Sequence, residues 1–157
     1  ASQFPNITKD YGYIDAFTQW LTRVPEHYDV VVTSNMFGDI ATDLASVLQG
    51  GMGMAGSGNI GDDHAFFEPV HGSSPKYAGM NKVNPIASIN SVQMMMDWLG
   101  RKNGSQDLLT VSKAIESSVA DHLKEGKHLT YDLGGNSSCS EVGDLIAGRL
   151  ARILSEY

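Results

Sequence analysis

Two aspartates, Asp39 and Asp43, stand four residues apart in "TSNMFGDIATDLAS", directly after a run of valines. Residues at i and i+4 share one face of a helix. Asp39 falls near the start of that helix, where a negative charge is favoured. An acid pair of this kind is ordinarily a solvated helix face. Two features argue for more. The pair follows a strand-like run, the place where open α/β sheets put their sites. No lysine or arginine lies three or four residues away to relieve the like-charge repulsion. A divalent cation would relieve it. Hard carboxylate oxygens suit Mg²⁺ or Mn²⁺, which keep several waters and share their coordination with a substrate.

A second constellation is "FEPVHGSSPKYAGMNKVNP", residues 67–85. Glycines, prolines and small hydroxyl residues surround His71, Lys76 and Tyr77. Small residues let backbone N–H groups approach a phosphate. Lys76 would supply charge, and Tyr77 or His71 a stacking face. The stretch is neither a Walker A loop nor a dinucleotide fingerprint. By composition alone it also reads as an ordinary surface loop.

These residues need elements to hold them. Periodicity predicts helices over 13–24 (Ile14, Phe17, Leu21, Val24 inward) and 38–49 (Ile40, Leu44, Val47, Leu48 inward, Gly50 past the end). Residues 30–32, all valine or flanked by it, suit a strand buried on both faces. Residues 50–61 are glycine-rich and read as loop or short strand, and residues 64–72 have a strand's composition around Phe66 and Phe67. A long helix begins after Asn84 as N-cap with Pro85 in its first position, and Gly100 ends it. Met94, Met95 and Met96 lie on this helix as core filler or dimer surface. Another helix covers 105–124. "SCSE" at Ser138–Glu141 is a capping box opening a last helix. Strands alternating with long helices give an α/β class.

The 157 residues carry a formal net charge of −7, the wrong sign for a nucleic-acid binder. No run of eighteen apolar residues exists to span a membrane. The single Cys139 excludes an internal disulfide and a cysteine zinc site, reads as an inert small residue, and fits a reducing compartment.

Together "YDVVVTSNMFGDIATDLAS", "GSGNIGDDHAFFEPVHGSSPKYAG" and "NKVNPIASINSVQMMMDWLG" closely resemble the isocitrate/isopropylmalate dehydrogenase family of metal-dependent decarboxylating dehydrogenases. The likeness runs from about Asp10 to Ile153. It implies a large domain with a mixed sheet flanked by helices, present here as a C-terminal fragment. Residues 1–29 would belong to the small, dimer-forming domain and residues 30–157 to the large one. It implies that Asp39 and Asp43 hold the Mg²⁺ or Mn²⁺, with Asp15 reaching the same ion from the partner subunit of a homodimer. A 2-hydroxy tricarboxylate or dicarboxylate would chelate the ion, pass a hydride to the nicotinamide and lose CO₂. It also implies a cofactor loop made by His71, Gly72, Ser73, Ser74, Pro75, Lys76, Tyr77 and Ala78. Glu68 would lie near the nicotinamide ribose and Asn84 near the adenine. Tyr131 matches a tyrosine that reaches the 2′-phosphate of NADP. A location in the cytoplasm, or the mitochondrial matrix of a eukaryote, is expected.

NAD-using members place an aspartate and an aliphatic residue where this chain has Lys76-Tyr77, and a lysine attracts the phosphate that a carboxylate repels. Residue chemistry and resemblance thus both favour NADP, and the likeness of Lys76-Tyr77 to the isocitrate enzymes implies isocitrate as substrate. Against that, the arginine expected four residues after Tyr131 is Gly135, and "DLGG" is common among NAD users. The alternatives are an NAD-dependent isopropylmalate, homoisocitrate or tartrate-type dehydrogenase, or a non-catalytic domain of this fold. The family's substrate arginines and its catalytic tyrosine and lysine have no match in this segment. No catalytic residue is assigned here, and the segment alone is expected to be inactive and to associate through uncovered apolar faces.

Overall fold

The computed structural model describes residues 3–156. They gather into two compact units, 1–48 and 49–157, so the boundary expected after residue 29 lies inside the first.

The first unit is a helix pair. Helix α1 (Ile14–Arg23) buries Leu21, places Asp15 in its first turn and Arg23 in its last, and so matches its own dipole. Pro25 then opens a single 3-10 turn, and Tyr28 meets Phe17 edge-on at 5.0 Å. Helix α2 (Asn35–Ser46) starts three residues before the expected position and runs into a 3-10 turn over Val47–Gln49. Gly50 follows at φ 107°, a conformation few other residues adopt.

Two expectations for this unit do not hold. Residues 30–32 form no strand, and Val30 and Val32 are 84% and 93% exposed. A strand exists only with a neighbour to bond, and among the described residues none pairs with this one. The inward stripe of α2 is also different: Ala41 and Ser46 are buried, whereas Ile40, Val47 and Leu48 are exposed. Helix α1 is the packing partner of α2 within the unit and covers only one side of it.

The second unit is built on three helices and a hairpin. Strands β1 (Gly56–Ile60) and β2 (Ala65–Pro69) pair antiparallel, Gly56 opposite Pro69 and Ile60 opposite Ala65. The loop between them closes with Gly61 N–H donating to the His64 carbonyl at 2.9 Å. The sheet among the described residues is this hairpin, so the α/β class stands with helices dominating. Both strands lie on α3 (Ile86–Asn103), with Phe67 tilted against Trp98 at 6.2 Å. Helix α3 packs on α4 (Gln106–Glu125), and α4 on α5 (Cys139–Leu154). Met54, Ile86, Val119, Val142 and Ile146 meet in the core, with Ile89, Leu123 and Leu133 against them.

Gly100 does not stop α3. The helix runs to Asn103, and Gly104 at φ 64° supplies the left-handed cap. Gly100 is buried because α4 comes close: a Cβ there would sit 2.7 Å from the Leu109 side chain. At the other end Asn84 does the expected work from one residue further back, its Oδ1 accepting the Ile86 N–H at 3.0 Å. The capping box of α5 is complete, with Ser138 Oγ accepting from Glu141 N–H at 3.3 Å and Glu141 Oε2 accepting from Ser138 N–H at 3.4 Å.

Candidate functional site

In the first unit, α2 carries Asp39 and Asp43 on successive turns of one face, both exposed. Thr42 and Ser46 turn their hydroxyls back onto helix carbonyls, including those of Asp39 at 3.1 Å and Asp43 at 2.7 Å. The two carboxylates accept no hydrogen bond and meet no cation among the described residues. This donor set fits a hard divalent ion: two ionised oxygens one turn apart, solvent-accessible, with no ammonium or guanidinium competing. Asp15 is also exposed, and its Oδ1 accepts the neighbouring Ala16 N–H at 2.8 Å. The fold of one chain does not gather three acidic or imidazole groups anywhere among the described residues, so Asp15 does not join Asp39 and Asp43 within a single copy.

In the second unit the residues from His71 to Ala78, expected to hold the cofactor, form one continuous loop between β2 and α3. Val70 N–H donates to the Ala55 carbonyl at 3.0 Å and anchors the loop at its start. His71 follows, half-buried, with Nδ1 2.9 Å from the Gly72 carbonyl oxygen. The N–H groups of Gly72, Ser73 and Ser74 donate to no group among the described residues. Ser74 takes a left-handed conformation (φ 47°, ψ 55°) and Pro75–Tyr77 make one 3-10 turn. Ala78 and Gly79 complete a type II turn, Gly79 at φ 74° in the position that demands it, with Met80 N–H on the Tyr77 carbonyl at 3.1 Å. Small residues, free amides and a flanking lysine suit an anionic group. Glu68, on β2 opposite Ser57, points to solvent beside this loop.

The loop ends in a clamp that sequence inspection passed over. Asn81 adopts φ 51° and bonds the first turn of α5 three times. Its carbonyl accepts from Cys139 N–H at 2.8 Å, its Oδ1 from Ser140 N–H at 2.9 Å, and its Nδ2 donates to Ser140 Oγ at 2.7 Å. This brings the loop against the 131–138 segment and opens a cleft of about 410 Å³ lined by Met80, Asn81, Lys82, Tyr131, Gly135 and residues 136–138. That volume lies in the range of small-ligand sites.

Tyr77 packs beside the lining residue Tyr131 with ring centroids 5.5 Å apart. Lys76 Nζ stands 5.5 Å from the Tyr77 ring centre, and Lys82 Nζ 4.5 Å from that of Tyr131 and 5.7 Å from that of Tyr77. Two lysines over two phenols is a cation–π arrangement with the charges still exposed. The Tyr77 hydroxyl is held below its ordinary acidity range by the Tyr131 phenol first, then by Lys76. Asn84 is placed differently. It is 6% exposed, and its amide is committed to Ile86, to Asp132 Oδ2 at 3.0 Å and to Met54 Sδ at 3.7 Å. It braces the loop from inside instead of lining the cleft.

Gly135 accounts for the missing arginine. Its N–H donates to the Thr130 carbonyl at 3.0 Å, Ser137 N–H donates to the Leu129 carbonyl at 2.9 Å, and a Cβ at 135 would overlap the Leu129 carbonyl oxygen. This closed backbone admits no side chain. Lys82 was legible as a lysine six residues past Lys76, yet nothing in the string places it in the cleft until Asn81 turns the chain.

Comparison with known proteins follows the same residues. The family model described as isocitrate/isopropylmalate dehydrogenase matches residues 1–146. The homoisocitrate dehydrogenase of Methanocaldococcus jannaschii is 44% identical over 152 residues, covering 97% of this chain and 42% of the relative. The 3-isopropylmalate dehydrogenase of Beutenbergia cavernae is 40% identical, covering 96% and 40%. The solved isocitrate dehydrogenase of Methylococcus capsulatus superposes with a TM-score of 0.86 at 35% identity, over 95% of this chain and 42% of that one. The chain therefore spans about two-fifths of the length of the curated relatives it matches. It belongs to the isocitrate/isopropylmalate dehydrogenase family.

Proposed function

We propose that the protein oxidatively decarboxylates a 2-hydroxy acid bearing a second carboxylate, using a nicotinamide cofactor and Mg²⁺ or Mn²⁺, as a homodimer. The observation that carries this is the exposed, uncompensated Asp39/Asp43 pair on α2 of a chain that belongs to this family. The curated relatives named for homoisocitrate and 3-isopropylmalate favour a substrate of that branch over isocitrate. The Lys76-Tyr77 pair favours NADP over NAD, because an ammonium stabilises a 2′-phosphate.

The roles follow from position. Asp39 and Asp43 hold the cation from one copy, with Asp15 of a second copy completing the set. The free amides of Gly72, Ser73 and Ser74 bind cofactor phosphate oxygens, and Tyr77 and Tyr131 offer flat faces to the nucleoside. The exposed Glu68 carboxylate on β2 would accept a ribose hydroxyl. When bound, the cation supplies a Lewis acid for the oxygen of the oxidised carbon, and the nicotinamide accepts the hydride. The acid and base that move protons are not assigned within residues 1–157.

The test is steady-state kinetics on the longest polypeptide the gene encodes, with isocitrate, homoisocitrate and 3-isopropylmalate, each with NAD and NADP, with and without Mg²⁺. Turnover of homoisocitrate or 3-isopropylmalate that requires Mg²⁺ and prefers NADP supports the full reading. A preference for isocitrate overturns the substrate branch, a preference for NAD overturns the cofactor, and metal-independent turnover overturns the role of the aspartates.

A further inference from the structure

The geometry points to Lys82 as a second cation for the cofactor's 2′-phosphate, held in the cleft by the Asn81 clamp and standing in for the arginine that the closed backbone at Gly135 excludes. This rests on the NADP reading above.

Three observations carry it. First, Lys82 lines the same cleft as Tyr131 and Gly135, and its ammonium lies over the Tyr131 ring at 4.5 Å. Second, neither Lys82 nor Lys76 has a carboxylate partner among the described residues, although the chain carries a formal charge of −7. The neighbouring acid, Asp132, is exposed and accepts from the Asn84 amide at 3.0 Å. Two unpaired ammoniums flanking a phenol pair make a local positive site in an acidic protein. Third, position is enforced. The left-handed turn at Asn81 and its three bonds to the first turn of α5 set the direction in which residue 82 leaves the loop. A phosphate monoester at pH 7 carries close to two charges and several acceptor oxygens, enough for two lysines and a phenol hydroxyl.

The probes are adenosine 2′,5′-bisphosphate and 5′-AMP, which differ only in the 2′-phosphate. Their binding is measured by calorimetry on the longest polypeptide the gene encodes, without turnover. The wild type should prefer the bisphosphate, and Lys82→Ala should cut that preference by about tenfold, the scale of one partly exposed charge-assisted contact. Lys82→Arg should retain most of it, which also guards against a folding artefact. The log–log salt slope of bisphosphate binding should flatten in Lys82→Ala. An unaltered preference in Lys82→Ala, beside a large loss in Lys76→Ala, overturns the role of Lys82 and leaves the NADP reading intact. Equal weakening of both probes makes Lys82 a support for the tyrosines and overturns the proposal. A wild type that does not prefer the bisphosphate overturns the NADP reading and this inference with it.

Discussion

At the scale of single residues, charge and space decide what each position can do. Asp39 and Asp43 repel one another unless a cation sits between them. Asp43→Asn should therefore weaken Mn²⁺ binding by at least the tenfold to about a hundredfold that outer-sphere changes produce. It should also abolish the Mg²⁺-dependent rise in melting temperature expected from linkage. Calorimetry and thermal melts with added Mg²⁺ check both, and an unchanged cation response would reduce the pair to a solvated surface. Gly135 illustrates the steric side. Gly135→Arg restores the family's charge on paper, but the side chain collides with the Leu129 carbonyl. Overpacking of this kind costs about 1–3 kcal/mol, so urea unfolding should show destabilisation and nucleotide titrations no gain in NADP affinity. The string shows a glycine where the resemblance leads one to expect an arginine. That the backbone forbids the charge is visible only once residues 129–137 are folded.

At the scale of elements, legibility tracked whether the signal was local. Helices α1, α3, α4 and α5 were readable because a 3.6-residue stripe and a cap are written within one segment. The complete box at Ser138 and Glu141 is the clearest case, and Ser138→Ala should cost about 1 kcal/mol in denaturant melts. The valines at 30–32 misled because a strand is a relation between segments, and β-branched composition says nothing about whether a neighbour is there. Gly100 near the end of α3 misled for a similar reason: it serves the approach of α4, and the turn is made by Gly104. Elements also set the pH response. His122 on α4 is buried, with Nε2 2.8 Å from the His128 carbonyl oxygen, and burial holds its pKa below the ordinary value. A depressed pKa makes a contribution to stability that is present above the unfolded value and lost as the pH falls. Glu141 behaves likewise at lower pH, its carboxyl held down chiefly by the hydrogen bond to His128. The unfolding midpoint should drop as pH falls below about 6.5, and His122→Gln should flatten that limb of the curve.

At the scale of the whole molecule, the two units differ in how well they close on themselves. The second has a buried core shared by three helices and the hairpin. The first leaves Phe4, Ile7, Tyr11, Tyr13, Val30, Val32, Met36 and Val47 largely in solvent. Exposed apolar groups in that number on 48 residues are a surface meant to be covered. The 157-residue chain on its own should associate at micromolar concentration, and sedimentation velocity giving a single monomeric species would contradict this. Among the described residues, Asp15 does not join Asp39 and Asp43 within one copy.

The Asn81 bonds to the start of α5 reach across 59 residues of sequence. Their consequence is mechanical. A disturbance that unwinds the opening turn of α5 also slackens the loop that precedes α3, with no change of sequence in that loop. Asn81→Ala should raise deuterium uptake at residues 78–83 and at 138–141 together, whereas uptake rising at only one of the two would mean the fastening carries no tension.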